Sequence, residues 1–166
     1  LVPHEINERH IAGLLTHFEN AILHSTLLQH EEDLPDLSYL QNGQVLIIDT
    51  VGLLSRLYRY ATITYVGGGF TKDGIHNVLE AAVWGKPVMF GPNYKKYREG
   101  RELVESGGAY SIQDASSFKR LADDLLVNNN QLQEAGLKAR AYVEENTGAT
   151  RKIMAYIQEN RLLTRL

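Results

Sequence analysis

The chain has 166 residues, 43% of them hydrophobic, which is enough for one well-cored domain without metal or disulfide staples. A formal net charge of −3 gives no general attraction to nucleic acid, and the lack of cysteine excludes a disulfide framework and thiol chemistry. No apolar run approaches the roughly 18 residues of a membrane-spanning helix, and the first residues carry neither a signal nor a transit pattern.

Leu1-Val2-Pro3 reads as the tail of a strand whose beginning is missing, so the chain is expected to be a fragment of a longer protein. Ile6, Ile11, Leu14, Leu15 and Phe18 make an imperfect helical stripe, and residues 21–26 follow as a short strand candidate. His10, His17 and His24 would share a face only on one unbroken helix. Helical metal ligands usually sit at i and i+4, so these histidines read as solvated or locally bonded, and no metal site is expected. Residues 30–44, with Glu31-Glu32-Asp33, Pro35 and Asn42-Gly43, read as an exposed connection. Val45 to Ile48 is a compact buried-type strand. Asp49-Thr50 after it is placed to cap a helix running through Leu53, Leu54, Leu57 and Tyr58.

Residues 62–92 organise the rest. The apolar run Ile63 to Val66 meets Gly67, Gly68 and Gly69, passes through a polar loop, and enters a helix pattern. It leaves at Gly85-Lys86-Pro87 into a second apolar run, Val88 to Phe90. Ile75, Val78, Leu79, Ala82 and Val83 fall on one stripe, which predicts a helix beginning near Ile75; His76, Asn77 and Glu80 lie off it and crown its first turn. A first turn offers unpaired N–H groups and the positive end of the macrodipole, and glycines let a ligand touch main chain. A phosphate is therefore expected between the glycine loop and residues 75–77, with Glu80 accepting hydrogen bonds from ribose hydroxyls. Three glycines alone also suffice for a tight turn, with the polar residues as surface caps; the His-Asn-x-x-Glu face directly after a strand favours the ligand. The spacing Gly-Gly-Gly-x4-Gly matches neither the dinucleotide fingerprint nor a P-loop.

Strand candidates at 45, 63, 88 and 109, separated by helix patterns, give the βαβ rhythm of a parallel sheet, in which ligands bind beyond the carboxyl ends of the strands. Asp49 to Gly52, Gly67 to Gly69 and Gly91 to Asn93 occupy that rim. The run from Asn93 to Glu99 is basic and aromatic together, and reads as solvated charge opening a helix, or as a contact for an anionic ligand or partner. Ala109 to Ile112 is the last strand candidate. From Ser116 on, three helices are expected, carrying Phe118, Leu121, Ala122, Leu125 and Leu126, then Leu132, Ala135, Ala139 and Val143, then Ile153 and Ile157, with breaks at Asn128 to Asn130 and Asn146 to Gly148. The terminal Leu162 to Leu166 is expected to fray, or to dock on another domain of a longer protein.

Asp49-Thr50-x-Gly52-x-Leu54-x3-Tyr58, Tyr65-Val66-Gly-Gly-Gly-Phe70, Gly74-Ile75-His76-Asn77-x-Leu79-Glu80-Ala81-Ala82, Gly85-x-Pro87-Val88-x-Phe90-Gly91-Pro92 and Glu145-Asn146-Thr147-Gly148-Ala149 together resemble the C-terminal half of the Kdo (3-deoxy-D-manno-oct-2-ulosonic acid) transferases. The resemblance runs through nearly all of the chain. It implies an α/β fold, a Rossmann-like parallel sheet with helices on both faces, forming the C-terminal domain of a GT-B glycosyltransferase, with residues 1–166 as a single donor domain and a helical C-terminus. It also implies transfer of Kdo from CMP-Kdo to a lipid A precursor in lipopolysaccharide synthesis, with no cofactor beyond that donor and no metal. The positions matching the family's donor site are Pro3, His4, Gly52, Gly67, Gly68, Gly69, Ile75, His76, Asn77, Glu80, Gly91 and Pro92. No catalytic residue is expected in this chain; the base and the lipid acceptor site belong to an N-terminal domain, and the full-length protein is expected on the cytoplasmic face of the bacterial inner membrane, the fragment itself being soluble and inactive. Two positions depart from the pattern: Gly69 stands where relatives commonly carry Ser, and His4-Glu5 stands where many have Arg-His. The other readings are the donor domain of a different GT-B enzyme, such as a UDP-sugar transferase or epimerase, and a non-catalytic flavodoxin-like binding domain.

Overall fold

The computed structural model describes residues 1–28 and 45–162, so the connection expected over 30–44 and the terminal Leu163 to Leu166 lie outside the described residues. The chain divides into two compact units, Leu1–Leu57 and Tyr58–Leu166.

In the first unit, helix α1 (Glu8–His17) starts where the Asn7 side chain accepts from the His10 amide at 2.9 Å. Strands β1 (Ile22–Leu23) and β2 (Leu46–Ile47) pair in parallel, Ile22 opposite Leu46 and Leu23 opposite Ile47. The strand expected over 21–26 is thus shorter, because at His24 the chain turns into helix α2 (His24–Leu28). Leu1 straddles Ile47 on the ladder: its nitrogen donates to Leu46 O at 2.6 Å and its carbonyl accepts from Ile48 N at 2.9 Å, the two bonds of a parallel bridge. Leu1 therefore sits as strand backbone, as its apolar neighbours suggested.

Asp49 serves a different helix from the one expected. Its carboxylate accepts from the Ser25 amide at 2.8 Å and, by a short bond, from the Ser25 hydroxyl, so it caps α2 and not α3 (Leu54–Leu57). Thr50 Oγ1 meets His24 Nδ1 at 2.9 Å beside it. The parallel register carries the end of β2 past the end of β1, where α2 begins, and a cap supplied from a neighbouring strand leaves no local signature. His10 and His17 share α1 while His24 opens α2, and each has a local partner: His10 Nδ1 is 3.2 Å from Asn7 Nδ2 and His17 Nδ1 is 2.8 Å from Gly13 O.

In the second unit a 3₁₀ turn (Tyr58–Tyr60) leads into β3 (Thr64–Val66), and β4 (Val88–Phe90) lies between β3 and β5 (Ala109–Ser111), all parallel. The central strand is buried at every position, whereas β3 alternates, with Tyr65 outward and Thr64 and Val66 inward. Phe90, Val88, Val66, Ile75, Val78, Leu103 and Ala139 form the core. Helix α4 (Leu79–Ala82) precedes β4, and α5 (Arg98–Ser106) ends at Gly107 with φ 80°. Helices α6 (Ala115–Val127), α7 (Asn129–Glu145) and α8 (Ala149–Glu159) follow, broken at Asn128, Asn146 and Gly148 as the sequence indicates.

An Asp114–Ser117 capping box opens α6. Helix α7 packs closely on the turn between α4 and β4 because Gly136 has no side chain; a Cβ there would stand 2.3 Å from Gly85 O. The Tyr142 hydroxyl of α7 donates to Glu102 of α5 at 2.7 Å, and burial together with that carboxylate pushes the phenol up to about 12. The stripes are less uniform than their periodicity suggests: Val83, Leu126 and Ile153 are exposed, and α8 buries no residue.

Burial pushes the Asp49 carboxyl up, but the two bonds from Ser25 outweigh it and hold the group below its ordinary value. A depressed carboxylate stabilises the fold fully above its unfolded value and loses that contribution as pH falls through the lower folded value. Ser25→Ala should therefore destabilise the first unit by about 1 kcal/mol at pH 7, since the bonds are charge-assisted but part-exposed. Denaturant titrations of both proteins at descending pH should converge below the carboxylate range, and a gap independent of pH would show that Asp49 is not the partner that matters.

Candidate functional site

Gly67, Gly68 and Gly69 leave β3 and Gly91-Pro92 leave β4, so both loops lie beyond the carboxyl ends of neighbouring parallel strands. The loops touch backbone to backbone. A Cβ at Gly69 would stand 2.5 Å from Gly91 N, and one at Gly91 would stand 2.6 Å from Gly69 C. Gly68 has φ +86°, and a Cβ there would meet Gly74 O and His76 Cδ2, each at 2.3 Å. Gly67 is exposed, with nothing within 4 Å of such an atom. Two of the three glycines thus answer to packing, and the third is open.

The carbonyls of this loop are each held by a donor of the protein. Gly67 O accepts from His76 N at 3.0 Å, Gly68 O from Thr71 N at 2.9 Å and Thr71 Oγ1 at 2.8 Å, and Gly69 O from Asn93 N at 2.9 Å. In a trans peptide the carbonyl and the next amide point in opposite directions. The N–H groups of Gly68, Gly69 and Phe70 therefore point away from the partners that hold their own peptides.

The helix expected to begin near Ile75 begins instead at Leu79 and is four residues long. Ile75 is 4% exposed, on non-helical backbone, where its Cδ1 would lie 2.7 Å from a Cβ on Gly100 of α5. The amide of His76 is held by Gly67 O, and that of Leu79 by Asn77 Oδ1 at 3.1 Å. These donors are not presented as helix-end amides, so the macrodipole argument does not apply at residues 75–77. The inward pattern of Ile75 and Val78 fits non-helical backbone as well as it fits a helical stripe. The Asn77 side chain also explains the delay, since a local side-chain bond competes with helix propagation there.

Asn77 and Glu80 do form a polar pair, Asn77 Nδ2 donating to Glu80 Oε1 at 2.9 Å. Tyr58 belongs beside them: burial first, and then the charge of Glu80, raise its phenol above the ordinary value. The sequence placed Tyr58 on a helical stripe with Leu53, Leu54 and Leu57 and in a motif, with nothing local to tie it to Glu80. Pro92 is half-buried next to Gly91.

The structure thus joins Gly67, Gly68, Gly69, His76 and Gly91 through direct contacts, buries Ile75 in the core, and pairs Asn77 with Glu80. Pro3, His4 and Gly52 belong to the first unit. Pro3 and His4 line a groove of about 880 Å³ with Arg9, His10, Leu14 and Phe18. A guanidinium is therefore present on that groove although no arginine follows Pro3. Gly52 has φ +93° in an exposed turn, which suffices to account for a glycine there. Among the described residues no group of three metal-binding side chains occurs, and no helix is long and apolar enough to cross a membrane.

No protein-family model matches the chain. It is 40% identical over 92 residues, 54% of its length, to the 3-deoxy-D-manno-octulosonic acid transferase of Aquifex aeolicus (strain VF5). To the enzyme of the same name from Rickettsia prowazekii (strain Madrid E) it is 30% identical over 143 residues, 83% of its length. The matches span 26% and 30% of those relatives' own lengths, less than a third. Among solved structures, the C-terminal CMP-Kdo binding domain of WaaA from Acinetobacter baumannii aligns with 81% of this chain and 67% of its own, with a TM-score of 0.65 and 19% identity. The fold is therefore that of the expected Rossmann-like α/β domain, parallel strands flanked by helices with a helical C-terminus.

The contacts separate the roles of the three glycines. Gly67→Ala should leave the melting temperature unchanged, because a methyl group there meets open space. Gly68→Ala and Gly69→Ala should each cost about 1–3 kcal/mol, from backbone strain at the first and backbone overlap at the second. Thermal melts of the three variants test this, and equal melting temperatures for all three would contradict the loop geometry.

Proposed function

This chain belongs to the 3-deoxy-D-manno-octulosonic acid transferase family, and we propose that it is the donor-binding domain, holding CMP-Kdo with the nucleotide phosphate on the glycine loop. The observation that carries this is the peptide orientation. Three consecutive carbonyls, of Gly67, Gly68 and Gly69, are satisfied within the protein, which leaves the amides of Gly68, Gly69 and Phe70 facing away from those partners. Gly67, with open space where a Cβ would stand, allows an anion to approach main chain.

Glu80, oriented by Asn77, accepts hydrogen bonds from the ribose hydroxyls. His76, whose ring packs on Gly68, closes the side of the loop. Gly91 and Pro92, on the neighbouring loop, belong to the donor site in this reading. Breaking the bond from the anomeric carbon to phosphate moves negative charge onto the departing CMP. Fixed amide donors stabilise that charge more as it grows, so their contribution is larger in the transition state than in the ground state.

The reading extends to the whole protein: transfer of Kdo to a lipid A precursor on the cytoplasmic face of the inner membrane, as a step in lipopolysaccharide synthesis. The base that activates the acceptor hydroxyl, and the acceptor site itself, are assigned to the part of the protein beyond this chain. It is supported by relatives more than three times as long as the segments they share with this chain.

Calorimetric titration of the chain with CMP tests the assignment. Glu80→Ala should weaken CMP by about tenfold, the scale of one hydrogen bond to a charged group, and His76→Ala should weaken it as well. UDP should compete poorly. Equal affinity for wild type and both variants would remove these side chains from the site, and preference for UDP would point to a different sugar nucleotide.

A further inference from the structure

The run from Asn93 to Glu99 has a part in the second unit that its composition does not reveal. Asn93 N donates to Gly69 O at 2.9 Å, Asn93 Nδ2 donates to Thr71 O at 2.9 Å, and the Tyr97 hydroxyl donates to Asp73 O through a short bond. Alternate carbonyls of the glycine loop, at 69, 71 and 73, are thus each held from this one segment. Gly74 lies against it too: a Cβ there would meet Asn93 O at 2.6 Å and the Tyr97 ring at 2.7 Å. Lys96 lies over the Tyr97 ring at 5.1 Å, fixing the ring from its other neighbour.

We propose that Asn93 and Tyr97 are positioning residues for the phosphate-binding loop, setting nucleotide affinity without touching the nucleotide. The inference rests on the donor-site reading above. Glycine gives a peptide little resistance to rotation, and the loop from 67 to 74 contains four of them. Rotating one peptide there exchanges an outward N–H for an outward C=O, which turns a donor to phosphate into a repelling dipole. The bond to Gly69 O opposes that exchange in the peptide that carries the Phe70 amide, and the bonds to Thr71 O and Asp73 O anchor the peptides that follow, so that the rest of the loop does not turn with it. The aromatic and amide groups of the segment are therefore wired to the loop, while its lysines and Arg98 remain exposed.

Tyr97→Phe keeps the ring against Gly74 and Lys96 and removes only the hydroxyl bond; Asn93→Ala keeps the main-chain bond to Gly69 and removes the one to Thr71. Each should weaken CMP by about five- to tenfold, the scale of one hydrogen bond, and leave cytidine, which lacks the phosphate, unaffected. General loosening of the fold would lower both affinities together. Amide hydrogen exchange should quicken within residues 67–74 and not in β4. If wild type binds CMP and both variants bind it equally well, the positioning role is overturned while the donor site stands. Parallel losses for CMP and cytidine would also overturn it, by reducing the effect to stability. Absence of saturable CMP binding by the wild-type chain would overturn the donor-site reading and this inference with it.

Discussion

Two loops leaving neighbouring parallel strands meet backbone to backbone at Gly69 and Gly91, and the rest of the candidate site is arranged by that contact. No side chain fits between them, so both positions require glycine on steric grounds before any ligand is considered. With the loops this close, Asn93 reaches the carbonyls of Gly69 and Thr71, and Gly68 folds over onto His76. The bond from Asn93 N that fixes the Gly69 carbonyl is a consequence of that approach. A phosphate site made in this way depends on peptide orientation, which is determined by hydrogen bonds on the side of the loop away from the ligand.

Much of this was legible in the sequence because the strands are short, apolar and followed by glycine. The runs ending at Ile48, Val66, Phe90 and Ile112 lie within a residue or two of the observed strands, and the asparagine and glycine breaks between the C-terminal helices fall where the helices end. The start of α4 was not legible. Ile75 and Val78 are buried as a helical stripe would bury them, yet the backbone there is non-helical and Asn77 holds the first helical amide. Spacing records which way side chains face and is silent on the backbone that turns them.

The other misreadings share a cause, which is contact between residues distant in sequence. Asp49 caps α2, 24 positions earlier, because parallel pairing puts the end of β2 beside the start of that helix. Tyr58 adjoins Glu80, and Asn93 and Tyr97 bind the glycine loop, through approaches that only the folded sheet creates. A basic, aromatic segment invites interpretation as a charged surface; its bonds to the glycine loop come from the main chain and side chain of Asn93 and from the Tyr97 hydroxyl. Moving the proposed phosphate donors from a helix end to the loop itself preserves the family's donor-site assignment and changes its physical basis, from a macrodipole to individually oriented peptides.

The central claim is that the amides of Gly68, Gly69 and Phe70 receive the nucleotide phosphate. Titrating the ¹⁵N-labelled chain with CMP, and separately with cytidine, while following the amide correlation spectrum tests it most directly. The account predicts saturable shifts that are largest at those three amides with CMP and small there with cytidine. Equal shifts with both ligands, or phosphate-dependent shifts centred elsewhere with these three amides unmoved, would contradict it.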